Sequence, residues 1–154
     1  MSDRIRVSNQ WCDLEAAVVH ELRSYRALTS DYKALQELME MMCPQVTTQI
    51  KEISTHGVGT NTGEAKVFAT IEMRDKLRRD LEALNDRLQG IMAMTKMLPA
   101  DEHSVIVRRY MLGQRMEDVA DLTFVSRAKC WVLHGKAIRR LAKVWTVLDG
   151  SGQF

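Results

Sequence analysis

The chain has 154 residues, 45% of them hydrophobic and 27% charged, with a formal charge of +2 and three cysteines. That length allows one respectable core or two small ones and excludes a large layered enzyme fold, and the ordinary apolar content argues against disorder along most of it. So small a net charge supports no blanket claim about polyanions, and Cys12, Cys43 and Cys130, odd in number with no Cys-x-x-Cys pair, fit neither a disulfide framework nor a zinc ribbon.

The N-terminus, Met1-Ser2-Asp3-Arg4-Ile5-Arg6, lacks the apolar run of a signal peptide, and no window reaches the roughly 18 apolar residues of a membrane span. A soluble protein of a reducing cytoplasm is expected. From Trp11 to Met42 apolar side chains recur in steps of three and four, at Trp11, Leu14, Val18, Leu22, Tyr25, Leu28, Tyr32, Leu35, Met39 and Met42, one face of a helix that Pro44 should stop. Residues 43–63 contain one helical fragment, Thr47 to Ile53, followed by the turn formers of Thr55-His56-Gly57-Val58-Gly59-Thr60-Asn61-Thr62-Gly63, which predict a mobile loop. A second seam runs through Ile71, Leu77, Leu81, Leu84, Leu88, Ile91 and Leu98 and stops at Pro99. Two such stripes can bury each other in an antiparallel, coiled-coil-like hairpin, or bury against a second copy in a homodimer.

Past Pro99, Asp101 is expected to cap a helix with Val105, Ile106, Tyr110 and Met111 on its apolar side, ending at Gly113. A short helix from Arg115 to Leu122 follows. Ser126 then caps the last helix, whose buried face is Cys130, Leu133, Ala137, Leu141, Val144 and Leu148, before Gly150 and Gly152 release the chain. No strand pattern or internal repeat is evident, so the reading is all-α: a helical hairpin over 1–98, then a helix-turn-helix module over 99–154.

The charge is unevenly placed. Residues 1–100 hold 13 Lys and Arg against 14 Asp and Glu, whereas 101–154 hold nine against six. The run from Arg127 to Lys143 has no acid at all and carries Arg127, Lys129, Lys136, Arg139, Arg140 and Lys143. A short helix, a serine-capped turn and a longer basic helix describe a helix-turn-helix whose second helix can enter the major groove of DNA. Residues early in such a helix reach base edges and later cations hold phosphates, because Arg and Lys match guanine acceptors and backbone charge respectively. Arg127, Ala128, Lys129, Trp131 and Val132 are the candidate readers, and Lys136, Arg139, Arg140 and Lys143 the candidate phosphate contacts. Gln114 and Arg115, where the short helix begins, and Ser126 complete the candidate set.

Other chemistry is thin. His134, on the edge of the buried face, reads as a core histidine, Trp131 as a residue that packs on a neighbouring helix or stacks on a base, and no Cys or His partners stand at metal-ligand spacing. The glycines of 57–63 lack the Lys-Ser or Lys-Thr ending of a phosphate loop. The methionines near helix ends read as adaptable core filling, and the many Asp and Glu as a charged helix surface without a nucleophile and base. No enzyme activity, metal or cofactor is expected.

The residues Arg108-Arg109-Tyr110-Met111-Leu112-Gly113-Gln114-Arg115-Met116-Glu117-Asp118-Val119-Ala120, then Val125-Ser126, then Cys130-Trp131-Val132-Leu133-His134-Gly135-Lys136-Ala137 carry a family pattern. This stretch resembles the C-terminal module of bacteriophage transcriptional regulators of the RinA and ArpU type, which is similar to the sigma-factor domain that reads the upstream promoter element. The resemblance covers about the last 50 residues well, the helix from Glu64 to Leu98 loosely, and little before Gly63. By position, Ser126 matches the cap of the recognition helix and Leu133, His134 and Ala137 its characteristic residues, while Met116 stands where an aromatic residue is frequent and Phe124 where glycine is usual. What the resemblance implies is a phage or prophage protein that binds duplex DNA upstream of late genes and promotes their transcription by host RNA polymerase. Two other readings stay open: a small terminase subunit recognising a packaging site, and a polymerase-docking module that does not touch DNA.

Overall fold

The computed structural model describes the backbone of residues 2–55 and 61–150 and the side chains of 12–42 and 65–145. Its helices are α1, Ser2–Thr55; α2, Asn61–Lys96; α3, Ala100–Ile106; α4, Met116–Thr123; and α5, Arg127–Gly150, with a wide π turn, Val107–Met111, directly after α3. Among the described residues there is no strand, and the chain is all-α.

The apolar periodicity of α1 is the face it buries: Val18, Leu22 and Leu28 are buried, and Leu14, Tyr25, Tyr32, Leu35, Met39 and Met42 half-buried. Along α2, Leu77, Leu88 and Ile91 are buried, as is Leu98 just past its end, whereas Leu81 and Leu84 are half-buried and Ile71, expected on the same seam, is exposed. Trp11 on the first face and Leu148 on the last lie outside the described side chains.

Pro44 does not end α1, which continues to Thr55. A proline removes one backbone hydrogen bond, here to the Glu40 carbonyl, and crowds the preceding turn. It leaves the ladder on either side intact, and cooperative helix growth carries the chain through. The interruption between the long helices is accordingly shorter than expected, since residues 43–55 belong to α1 and Asn61 already opens α2. His56, Gly57, Val58, Gly59 and Thr60, at the centre of the predicted loop, lie outside the described residues, as does Gly152.

Two compact units share the chain. In the first, Leu28–Arg87, Asp31, Ala34 and Leu35 of α1 and Asp80, Ala83 and Leu84 of α2 line one open groove, so the helices lie side by side there. The second joins residues 1–27 to 88–154, so the compact units do not divide at Pro99. Val18 and Leu22 of α1, Ile91, Met94 and Thr95 of α2, and Leu98 just past α2 are buried within this unit. At its centre Val105, Met116, Val119, Ala120 and Cys130 form a core against which Val125 and Leu133 pack, holding α3, α4 and the start of α5 together. Of these, Val105, Met116 and Val119, buried almost completely, each contribute about 1.5–3 kcal/mol relative to exposure.

The cap of α3 is Pro99, whose carbonyl accepts from His103 N–H at 2.8 Å, so Asp101 is a first-turn acid rather than the cap. There its charge, with that of Glu102, faces the positive end of the helix dipole. After the π turn the chain is stopped by Gly113, whose φ of +69° favours glycine; a side chain there would also meet the Arg26 guanidinium.

Between α4 and α5 the turn is closed by local bonds. Phe124 takes the left-handed conformation (φ 55°, ψ 34°), and Val125 N–H returns to the Ala120 carbonyl at 3.2 Å. Ser126 Oγ accepts from Lys129 N–H at 3.2 Å, the cap read from the sequence. A phenylalanine thus adopts the backbone for which glycine is usual, while its ring, 95% exposed, packs on almost nothing. The left-handed region costs a non-glycine residue about 1–2 kcal/mol, and glycine's greater freedom in the unfolded chain offsets part of any relief. Phe124→Gly is therefore expected to raise stability by about 1 kcal/mol in urea unfolding, and a lowered midpoint would show that the ring makes a stabilising contact.

Candidate nucleic-acid interface

The first turn of α4 and the first turn of α5 are tied to each other. Arg127, which opens α5, pairs with Glu117 of α4 at 2.7 Å. Thr123 Oγ1 donates to the Val119 carbonyl at 2.6 Å and lies 3.8 Å from Cys130 Sγ, bracing the end of α4 against α5. At the start of α4 the Asp118 carboxylate accepts the Arg115 backbone N–H at 3.3 Å. These are short-range bonds within one stretch of chain, so the angle between the two helices is set locally.

On α5 the buried positions are Cys130, Ala137, Ile138, Leu141 and Ala142. The opposite side presents Ala128, Lys129, Val132, Lys136, Arg139 and Lys143, all exposed and following one another at helical spacing. Arg139 Nε donates to the Gly135 carbonyl of its own helix at 3.0 Å, and Lys143 is already engaged within the chain. Val132 is 52% exposed in the middle of this stripe, and Trp131, 48% exposed, stands at its border.

Several candidates have structural duties. Ser126 is committed to the cap and Arg127 to Glu117, which leaves Arg127 exposed but anchored. Arg140 does not stand free beside the other cations, because its Nε donates to Glu102 Oε1 at 3.2 Å and lies 3.0 Å from Oε2. Glu102 is the buried member of that pair, and Oε2 makes no hydrogen bond of its own. Gln114 is turned inward: its N–H bonds the Arg108 carbonyl at 3.0 Å, its own carbonyl accepts from Arg109 at 3.1 Å, and its side-chain oxygen is buried without a partner. Arg115 is exposed at the start of α4.

Tyr110 and His134 lie far apart along the chain and meet in the fold. Tyr110, in the π turn, shares a 2.8 Å hydrogen bond with His134 Nε2, their rings stack at 5.8 Å, and Trp131 meets the histidine edge-on at 5.6 Å. Burial lowers the imidazole's pKa from its ordinary 6.5, and the guanidinium charges of Arg109 and Arg23 lower it further. Burial likewise raises the Tyr110 hydroxyl above 10.0, against the opposing pull of Arg23 and Arg109. His134 is thus a satisfied, neutral core histidine. Only its place on the edge of the buried face was visible in the sequence, since Tyr110 lies 24 residues away.

Among the described residues no group of three or more His, Cys, Asp or Glu side chains could hold a metal ion. None of the described helices is long and apolar enough to cross a membrane. In comparisons with known proteins the chain matches no family model, no curated protein and no solved structure.

Proposed function

We propose that this protein is a sequence-specific DNA-binding transcriptional regulator, a phage or prophage activator of late genes that works with host RNA polymerase. The observation that carries the reading is the stripe of Lys129, Lys136, Arg139 and Lys143, exposed on α5 opposite its buried face and presented after a rigid, serine-capped turn. In this reading α4, the turn and α5 act as a sigma-like helix-turn-helix. The first turns of α5 enter the major groove with Ala128, Lys129, Trp131 and Val132 toward base edges. Lys136, Arg139 and Lys143 then lie along the phosphates. The phage and late-gene part of the proposal rests on the resemblance of residues 108–137 to RinA- and ArpU-type regulators.

A second reading has one observation in its favour. Phe124, Leu122, Trp131 and Val132 are all substantially exposed on or near the α4–α5 turn, as a polymerase-docking surface would require. Fluorescence anisotropy with random duplex across a salt series separates the two. Phosphate contacts give a log–log slope of about −0.9 for each phosphate neutralised, so at least three contacts predict a slope steeper than about −2.5. Absence of duplex binding at low salt would overturn the regulator and leave the docking module.

A further inference from the structure

Arg23 and Arg26 stand three residues apart on α1, hence on one side of the helix, and both are exposed. The Arg26 guanidinium lies against Gly113, in the segment that leads from the π turn into Arg115 and α4. Arg109 reaches the same segment from the π turn, donating to the Gln114 carbonyl at 3.1 Å. Arg23 and Arg109 both bear electrostatically on the Tyr110–His134 pair. His134 in turn abuts Trp131 at the border of the exposed stripe of α5.

Arg26 and Arg109 therefore both reach the Gly113–Gln114 segment, and Arg23 stands one helical turn from Arg26 on α1. Like charges placed this way repel one another, and a bound anion relieves the repulsion. A small anion would satisfy a single point. The Tyr110–His134 pair links this group to Trp131 at the border of the α5 stripe, which suits an extended polyanion already seated on α5.

Resting on the DNA-binding reading of α5, we infer that Arg23 and Arg26 of α1, with Arg109, form a lateral phosphate-binding flank. The backbone beside the groove that α5 enters is gripped by the first helix of the chain. The interface then spans residues at both ends of the sequence, and α1 adds affinity without reading bases.

The test uses the full chain and a duplex of random sequence, with anisotropy recorded across a salt series. Arg23→Gln combined with Arg26→Gln should make the log–log salt slope shallower by about two and weaken binding on the order of 10- to 50-fold at physiological salt. The thermal midpoint should stay unchanged. Arg23→Lys with Arg26→Lys should keep the wild-type slope, because charge and not shape makes the contact. Wild-type slope and affinity in the glutamine variant would overturn the flank alone, provided that Lys136→Glu with Arg139→Glu still abolishes binding. A wild-type chain that binds no duplex would overturn the flank together with the reading on which it rests.

Discussion

A chain carrying Lys136→Glu and Arg139→Glu is expected to lose duplex binding while keeping its full helical content. The two positions are neighbours on the exposed face of α5, one helical turn apart. If α5 lies in the groove as proposed, each reversal would remove a favourable phosphate contact and set a negative charge against the DNA backbone, so the pair should weaken binding by more than about 100-fold at physiological salt. The fold should not notice. Lys136 faces solvent, Arg139 bonds only a carbonyl of its own helix, and glutamate, lysine and arginine have nearly equal helix propensities. Circular dichroism checks the helicity and a gel-shift assay the affinity. Unchanged affinity would sink the DNA-binding reading.

Arg140→Ala is expected to act on stability. Glu102 is 6% exposed at its side chain, and Arg140 is the cation that faces it. Removing one partner of a fully buried pair costs about 3–5 kcal/mol, because the remaining charge stays desolvated and uncompensated. Arg140 itself is 59% exposed, which screens the pair and lets water reach the vacated side. A loss of about 2 kcal/mol in urea unfolding is the balanced expectation. Replacing both residues, Glu102→Met with Arg140→Ala, should recover most of it, since no buried charge remains. If Arg140 served only as a phosphate contact, Arg140→Ala would weaken DNA binding and leave the unfolding midpoint where it was. A loss in Arg140→Ala that the double variant fails to recover would show that the arginine stabilises by packing its stem, not by answering Glu102.

These two variants divide a run of cations that looks uniform in the sequence. Lys136, Arg139 and Arg140 are equally basic and equally free of nearby acids along the chain, and helical spacing puts Arg140 at the rim of the same stripe. What distinguishes Arg140 is a carboxylate 38 residues away, on α3. Similarly, Arg26 looks like an ordinary surface residue of a long amphipathic helix until the chain folds back and sets Gly113 beside it.

Whatever is periodic or local is legible along the chain. Most of the buried faces of α1, α2 and α5 follow from apolar spacing, because a helix fixes which residues share a side, while the exposure of Ile71 and the burial of Ile138 and Ala142 depend on what packs against them. The Ser126 cap follows from a contact between residues three apart. The exposed cations of α5 follow by elimination from its buried face. Which charges are engaged and which are presented depends on contacts between distant parts of the chain. The Arg140–Glu102 pair, the Tyr110–His134 bond and the Arg26–Gly113 approach each join positions distant in the chain, and no periodicity encodes such meetings. The course of α1 through Pro44 and the left-handed turn at Phe124 belong there as well. In both, a local preference worth a few kcal/mol is overruled by the cooperative helices and bonds around it.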